Sequence, residues 1–542
     1  MLSLRTTISK ANSKLPLRLA AGLLAGSSLL ASLLGLFRDR LLNGQYLDTY
    51  KVGLDAYTVA FTIPDFMFFI LVSGALSVTF IPVFNQRLAT GNKKSAWELS
   101  TSMVNFMALV TLIASVLIII FADPLVRYVV GPGLDESGRS LAVSMMRVIA
   151  VNPFLFAVAT VIASMQQAVG RFAFFALAPT VYNVGIIIGT VFFTNGINLF
   201  GWQVFDGGIM GVALGVVLGS MMQLVVSSIG LFGMGFDYRF KIYFKNKGFR
   251  QVLRLLPPRS LDQGIDYVNS IVETNLASRM IDGSIRAYQQ ASSLAYVPIN
   301  LIGVAISTAA FPKMTERLGQ GRPDLFKSEL QAVLRVIIWL ALPVTVIAFF
   351  GRGYLVNFIK NGGDNYIASI LGVLAIAILF RSIYFISARS FYAQQDTKTP
   401  LYISLFTIAL NITLAVWFTL GLGMGVHGLA WAAVIVSVVE VSILFFIMSK
   451  RIRGLFDKVF VHAIARMASA AGFMTIITYI GVSIFPLNAD DQSFLASFPK
   501  FALIVMVSIG AYFFFSYLLK LQEVAPILLR IQKILFKRPG KD

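Results

Sequence analysis

Apolar runs of about 20 residues, the length a helix needs to cross a bilayer, recur from one end of the chain to the other. Their centres fall near Leu29, Phe69, Leu109, Phe154, Ile186, Val217, Asp266, Gly303, Leu340, Leu379, Ile408, Val434, Ile476 and Val507. The pattern predicts an all-α polytopic membrane protein of about fourteen transmembrane helices. Most runs are unbroken. The seventh, Leu253 to Met280, is far more polar than the rest.

The loops support this count. With a cytoplasmic N-terminus, alternate loops collect Lys and Arg: roughly 29 positive residues fall inside against roughly 10 outside. A miscounted helix would scramble that alternation downstream, and the bias persists to the end. Both termini are therefore expected in the cytoplasm. The tail Leu521 to Phe536 reads as an amphipathic surface helix with a basic end.

An internal repeat organises the spans. SVTFIPVFNQRLATG from Ser77 matches STAAFPKMTERLGQG from Ser307, with Pro82 on Pro312, Arg87 on Arg317 and Gly91 on Gly321. The offset is about 230 residues. Gln166 and Gln167 against Gln394 and Gln395, and Asn183 against Asn411, follow at nearly the same offset. A unit of about six spans inserts twice in the same orientation, giving two parallel six-helix lobes around a central cavity, plus two extra C-terminal helices. The expected divisions are 1–235 for the first lobe, 236–452 for the second, 453–520 for the added helices and 521–542 for the tail.

Composition narrows the class. The chain has 542 residues, 57% hydrophobic and only 13% charged, too few charges to cover a soluble fold of this size. The net charge of +20 is read as cytoplasmic-loop bias rather than nucleic-acid binding, since no soluble basic domain is visible. Cysteine is absent and there are two histidines, His427 and His462, which argues against a histidine-based metal site or triad. No GxxxxGK[ST] loop and no nucleophile motif is present, so neither an ATP-driven pump nor an enzyme is expected. Transport driven by a gradient or by the membrane potential remains.

Ionisable groups at membrane depth are costly and usually face a cavity or one another. Arg259, Asp262, Asp266, Asn269 and Glu273 fall on one stripe of the seventh span, beside Pro257, Pro258 and Gly264, which can bend it. The stripe reads as a cavity wall or as a set of internal ion pairs. Span one ends in Arg38-Asp39-Arg40, and span two opens at Asp55. Arg38 reads equally as an interfacial snorkelling arginine or as a substrate contact.

The segments GLFRDRLL at Gly35, LDAYTVAFTIPDF at Leu54, SGALSVTFIPVF at Ser73, GRFAFFALAPTVYN at Gly170, LASRMIDGSIRAYQQASSL at Leu276, PINLIGVAISTAAFP at Pro298 and ARSFYAQQDTKTP at Ala388, in this order, resemble the MurJ (MviN) family of lipid II flippases. The resemblance runs from about Leu17 to Leu519. It implies a cavity that opens alternately to the two sides and receives the pyrophosphate and sugar-peptide head of an undecaprenyl-linked precursor. It also implies a groove for the lipid tail on the last two helices. Arg38, Asp39 and Asp55 sit at family positions. Ser32 and Phe68 stand where the family carries arginines, Ser73 where it carries a glutamate, and Ser292-Ser293-Leu294-Ala295-Tyr296 replaces Asp-Arg-Leu-x-Glu. Arg259 and Arg286 are the candidate replacements, and Arg38 with Arg259 is the candidate pyrophosphate pair. The expected substrate-binding set is Arg38, Asp39, Asp55, Arg259, Asp262, Asp266, Glu273 and Arg286.

The resemblance implies a bacterial inner-membrane protein, expected as a monomer, with an undecaprenyl-linked lipid, membrane lipids and cell-wall synthesis proteins as candidate partners and no nucleic acid. No cofactor is expected, with a sodium ion near Asn411 left open. The alternatives are a flippase for another undecaprenyl-linked glycan, a small-molecule exporter of the same superfamily, and a non-transporting scaffold.

Overall fold

A long apolar segment in lipid can satisfy every backbone amide without water by forming a helix, and most of the described residues do so. The computed structural model describes residues 17–525 except 200–201 and 489–490; side chains at 73–78 and 257–266, among others, are outside that description. Among the described residues, twelve helical stretches are long and apolar enough to cross a membrane. Two further long helices, α1 (Leu17–Tyr46) and α9 (Lys247–Ser278), stand where the sequence places spans one and seven. The protein is thus an all-α polytopic membrane protein. The amphipathic tail expected beyond Leu521 lies almost wholly outside the described residues.

The described chain forms two compact units, one ending at Arg286 and one beginning at Ala287. The first holds α1, α2 (Lys51–Leu71), α3 (Ser73–Ala89), α4 (Lys93–Pro124, prolonged by a wide π turn at Leu125–Val130), α5 (Glu136–Ile149), α6 (Asn152–Ala168), α7 (Ala173–Val191), α8 (Met210–Ile229) and α9. Helix α9 packs on α2 and α3. Phe80, Phe84, Leu99, Met103 and Phe249 lie fully buried in this unit's core. On α4, Leu109, Leu112, Ile113, Val116, Leu117 and Ile120 form an exposed stripe at helical spacing, the side a bilayer would cover.

One local element departs from the all-helical reading. Between α7 and α8 the chain makes a two-stranded antiparallel hairpin, β1 (Ile197–Leu199) with β2 (Trp202–Phe205), in which Asn198 faces Gln203. Three or four residues per strand are too few for an alternation to stand out from the flanking apolar spans.

Helices α7 and α8 meet through glycines. A Cβ added at Gly185 would lie 2.2 Å from the Cα of Gly219, and one at Gly189 would lie 2.4 Å from the Cα of Gly215. The glycines recur every fourth residue on each helix, so both backbones approach along a whole seam. Lipid supplies no hydrophobic drive between helices, and close van der Waals packing of small residues takes its place.

The second unit holds α10 from Ala287 onward (the helix runs Ser284–Pro298), α11 (Ala305–Gly319), α12 (Pro323–Phe350), α13 (Arg352–Ile359), α14 (Asn365–Ala393), α15 (Lys398–Val416), α16 (Val426–Arg451), α17 (Lys458–Ile484) and α18 (Phe494–Leu518). The last helix is tied to α12. The Trp339 indole donates to Ser516 Oγ at 3.2 Å, and the Tyr512 hydroxyl donates to the Trp339 carbonyl at 2.9 Å. An Arg335–Glu523 ion pair at 2.6 Å adds to this.

The repeat appears in the structure as matched helix ends. After α3, Thr90, Gly91 and Asn92 donate back to Gln86, Leu88 and Arg87; after α11, Gln320, Gly321 and Arg322 donate to Glu316, Leu318 and Arg317. Gly91 and Gly321 both take positive φ, the left-handed cap for which glycine is suited. The second sequence match is displaced. Gly170 and Gln395 are the corresponding left-handed caps, at an offset of about 225 residues. Asn183 and Asn411 therefore sit about one turn out of step.

Gln395 leads into Asp396, which caps α15 by accepting from the Lys398 and Thr399 amides at 3.1 and 3.0 Å and from Arg451 at 2.6 Å. Partial burial pushes the Asp396 carboxyl up, but the Thr399 and Arg451 bonds outweigh it and hold the group at about 2.

Two predictions follow from this packing. Gly215→Val should force the α7–α8 seam apart at a cost of about 1–3 kcal/mol and lower the yield and melting temperature of the purified protein, whereas Gly26→Ala, at a position with open space around it, should not. The Asp396 carboxyl is depressed by folding, so its contribution is complete above its unfolded value near 3.8 and is lost as pH falls toward 2. Asp396→Asn should therefore show a shallower loss of thermal stability between those two pH values than the wild type.

Candidate functional site

Helix α1 carries Arg38, Asp39 and Asn43, and residues four apart share a face, so Asp39 and Asn43 point the same way. Around them the first unit gathers Asp55 from the start of α2, Asn183 from α7 and the turn Met280–Arg286 that follows α9. Arg38 binds Asp39 Oδ1 through Nη2 at 3.0 Å and through Nε at 3.3 Å, and donates from Nη1 to Asn183 Oδ1 at 3.1 Å. Asn183 is itself aimed by its amide, which donates to the Ala31 and Pro179 carbonyls at 3.2 Å. Arg286 reaches the same Asp39 oxygen at 3.3 Å and donates twice to Asn43 Oδ1, at 3.2 and 3.0 Å.

Asp55 plays a different part. Its two oxygens accept from the backbone N–H groups of Gly283, at 2.6 Å, and Arg286, at 2.8 Å. It thus caps the first turn of α10, where orphan amides favour an anion. Gly283 takes φ +90 to present its amide, and a Cβ there would press on the Lys51 side chain.

The cluster pairs two guanidinium groups with two carboxylates. Asn43 is fully buried, and Asp55 and Arg286 are 3% exposed. Side-chain exposure rises to 13% at Asp39 and 24% at Arg38, so the accessible edge of the cluster is cationic. Two of the five Arg38 N–H bonds have no acceptor among the described residues.

Of the residues singled out in the sequence, Arg38, Asp39, Asp55 and Arg286 come together here. Glu273 accepts from Asn269 at 2.9 Å one turn back on α9, as the stripe predicts. The side chains of Arg259, Asp262 and Asp266 lie outside the described residues. Asn43 and Asn183 were not anticipated as members. Asn43 was legible from its spacing to Asp39; Asn183 was visible only as part of the repeat.

The second unit holds a smaller buried charge. Glu440 accepts from Thr407 at 3.1 Å and pairs with Arg381 at 3.5 Å. Among the described residues no three His, Cys, Asp or Glu side chains gather as a metal site.

Comparison with known proteins gives a consistent result. The family model for the lipid II flippase MurJ matches residues 50–498. A probable lipid II flippase MurJ from Thermotoga maritima is 26% identical over 487 residues, covering 88% of this chain and 92% of that protein. One from Bdellovibrio bacteriovorus is 24% identical over 519 residues, covering 94% and 96%. The solved structure of a lipid II flippase MurJ in an inward closed conformation superposes with a TM-score of 0.74 at 23% identity over 92% of this chain and 98% of that one, which establishes the fold. With the family model spanning most of its length, this multi-pass bacterial membrane protein belongs to the lipid II flippase MurJ family.

Proposed function

We propose that the protein moves lipid II, the undecaprenyl-pyrophosphate-linked peptidoglycan precursor, from the cytoplasmic to the outer leaflet by exposing a head-group site to the two sides of the membrane in turn. The observation that carries this reading is the partly exposed Arg38, held in a buried cluster with donor capacity to spare. A diphosphate accepts charge-assisted, bidentate hydrogen bonds, and a guanidinium supplies them in the matching fork geometry. Arg286 keeps Asp39 neutralised when the substrate draws Arg38 away, so the exchange leaves no buried carboxylate without a cation. Arg259 on α9 is the second candidate ligand of the pyrophosphate. Asp262, Asp266 and Glu273 would order the wet wall along which the sugar-peptide head moves.

The lipid tail remains in hydrocarbon. Helices α17 and α18, outside the repeat, expose Ile476, Tyr479, Ile480, Met506, Val507 and Phe514, an apolar surface suited to a polyprenyl chain. Both termini lie in the cytoplasm in this reading, as the alternation of basic loops requires. The protein works as a monomer without a cofactor, and cell-wall synthesis proteins are its natural neighbours. A second reading, transport of a different undecaprenyl-linked glycan, is favoured by Ser32, Phe68 and Ser293, which leave the site with fewer cations than the family pattern.

Rescue of a bacterium depleted of its own lipid II flippase, with head-group accessibility measured outside the cell, tests the proposal. Wild-type protein should restore growth and outer-leaflet lipid II. Restoration of another lipid-linked glycan alone would favour the second reading. Arg38→Ala and Arg259→Ala should each lose transport at normal membrane levels, and full activity in both would overturn the assignment. Arg286→Ala should behave differently. It strips buried Asn43 of two donated bonds and Asp39 of one of its two cations, at a cost of about 3–5 kcal/mol. The amount of folded protein, read by fluorescence size-exclusion, should fall together with transport.

A further inference from the structure

In the first unit, α4, α6 and the end of α8 enclose an apolar groove of about 680 Å³. Leu109, Leu112, Phe154 and Val158 line its depth. Its polar end is closed by the strap that joins α8 to α9. Asn105, 8% exposed, donates from its amide to the Arg239 and Lys241 carbonyls at 2.8 and 3.0 Å and accepts from the Tyr238 hydroxyl at 2.7 Å. Arg171 holds the other end of the strap through the Phe232 and Gly233 carbonyls. Asn246 then caps α9 and donates to the Ser95 carbonyl. The strap is therefore a fixed rim, and it runs directly into the helix with the polar stripe.

We propose that this groove is a binding site for one acyl chain of an anionic membrane phospholipid, with its phosphate against the strap. Three observations select that occupant. The groove opens between helices that cross the membrane, where the surrounding medium is hydrocarbon. From Asn105 to Leu112 it runs about 10 Å along α4, within the depth of one leaflet, about 15 Å. That suits a chain entering from one leaflet rather than one spanning the bilayer. The strap from Leu231 to Arg250 carries Arg239, Lys241, Lys245, Lys247 and Arg250 against the single acid Asp237, and Arg239 and Lys241 flank the fully exposed Phe240. A basic segment at the edge of a membrane helix attracts acidic head groups. The inference does not depend on what the protein transports.

The full-length protein, reconstituted in nanodiscs of phosphatidylcholine with and without phosphatidylglycerol, tests it by native mass spectrometry of retained lipid. Wild-type protein should retain phosphatidylglycerol in preference to phosphatidylcholine. Arg239→Gln and Lys241→Gln, both at exposed side chains, should each lower that preference by about fivefold without changing the melting temperature. Ala108→Phe, which fills the groove, should abolish retention of both lipids. Brominated-chain phosphatidylglycerol should quench Trp97, whose ring packs on Phe236 in the groove wall, read as the part of the total tryptophan quenching that is lost in Trp97→Phe. Equal retention of the two lipids by the wild type, unchanged preference in both glutamine variants, or a groove occupied by the polyprenyl tail of lipid II would overturn the proposal. Loss of transport with lipid preference intact would count against the substrate assignment alone.

Discussion

A charge inside a bilayer has to be met by another charge or by water, and in the first unit this requirement fixes which elements meet. Removing Arg286 from the set Arg38, Asp39, Asp55 and Arg286 would strip buried Asn43 of a donor and Asp39 of its less exposed cation in a medium that cannot solvate them. The set draws on α1, α2 and the turn before α10, with Asn183 of α7 as a fifth point. None of these segments is adjacent to all the others in sequence. The cost of an unpaired charge thus acts as a positional constraint on helices that otherwise pack through interchangeable apolar side chains.

Where no charge acts, shape does. The α7–α8 seam shows the other way of specifying an arrangement in lipid: a row of glycines so close that a methyl group would not fit. The two devices are complementary. The glycine seam sets distance between neighbours in the chain, and the charge cluster sets contacts between segments far apart in it. The second unit uses the same logic with different residues, since Trp339, Tyr512 and Ser516 satisfy their polar atoms mutually while burying their rings against α12 and α18.

Most of the fold could be read in advance because a bilayer imposes one length scale on every span, and even the far more polar α9 kept that length and agreed with the alternation of loop charges. The β1–β2 hairpin could not, since its alternation is shorter than the window in which a period can be recognised. The repeat was half legible. Its first copy pair ends in the same left-handed glycine, so the sequence match and the structural match coincide at Gly91 and Gly321. In the second pair a glycine at 170 corresponds to a glutamine at 395, and the eye aligns the neighbouring glutamines instead, about one turn away. At the site, Arg38, Asp39, Asp55 and Arg286 were named because ionisable residues at membrane depth are conspicuous. Asn183 was not, because a buried amide looks like any other polar residue until its partners are known, and Asn43 was signalled only by its four-residue spacing from Asp39.

The two aspartates show why composition alone cannot assign roles. Asp55 has both oxygens committed to backbone amides, and those donors cannot turn away without unwinding the first turn of α10. Asp39 is bound only by side chains, one of which, Arg38, is the most exposed member of the cluster and carries spare donors. An incoming anion can therefore compete for Arg38, but has nothing to gain from Asp55. Under the proposed function, Asp39 is the resident anion whose place at Arg38 the pyrophosphate takes, while Arg286 and Asp55 stay fixed as the frame. The same residue type thus serves as frame at one position and as exchangeable partner at the other, and the difference lies in whether its hydrogen-bond donors belong to the backbone or to a mobile side chain.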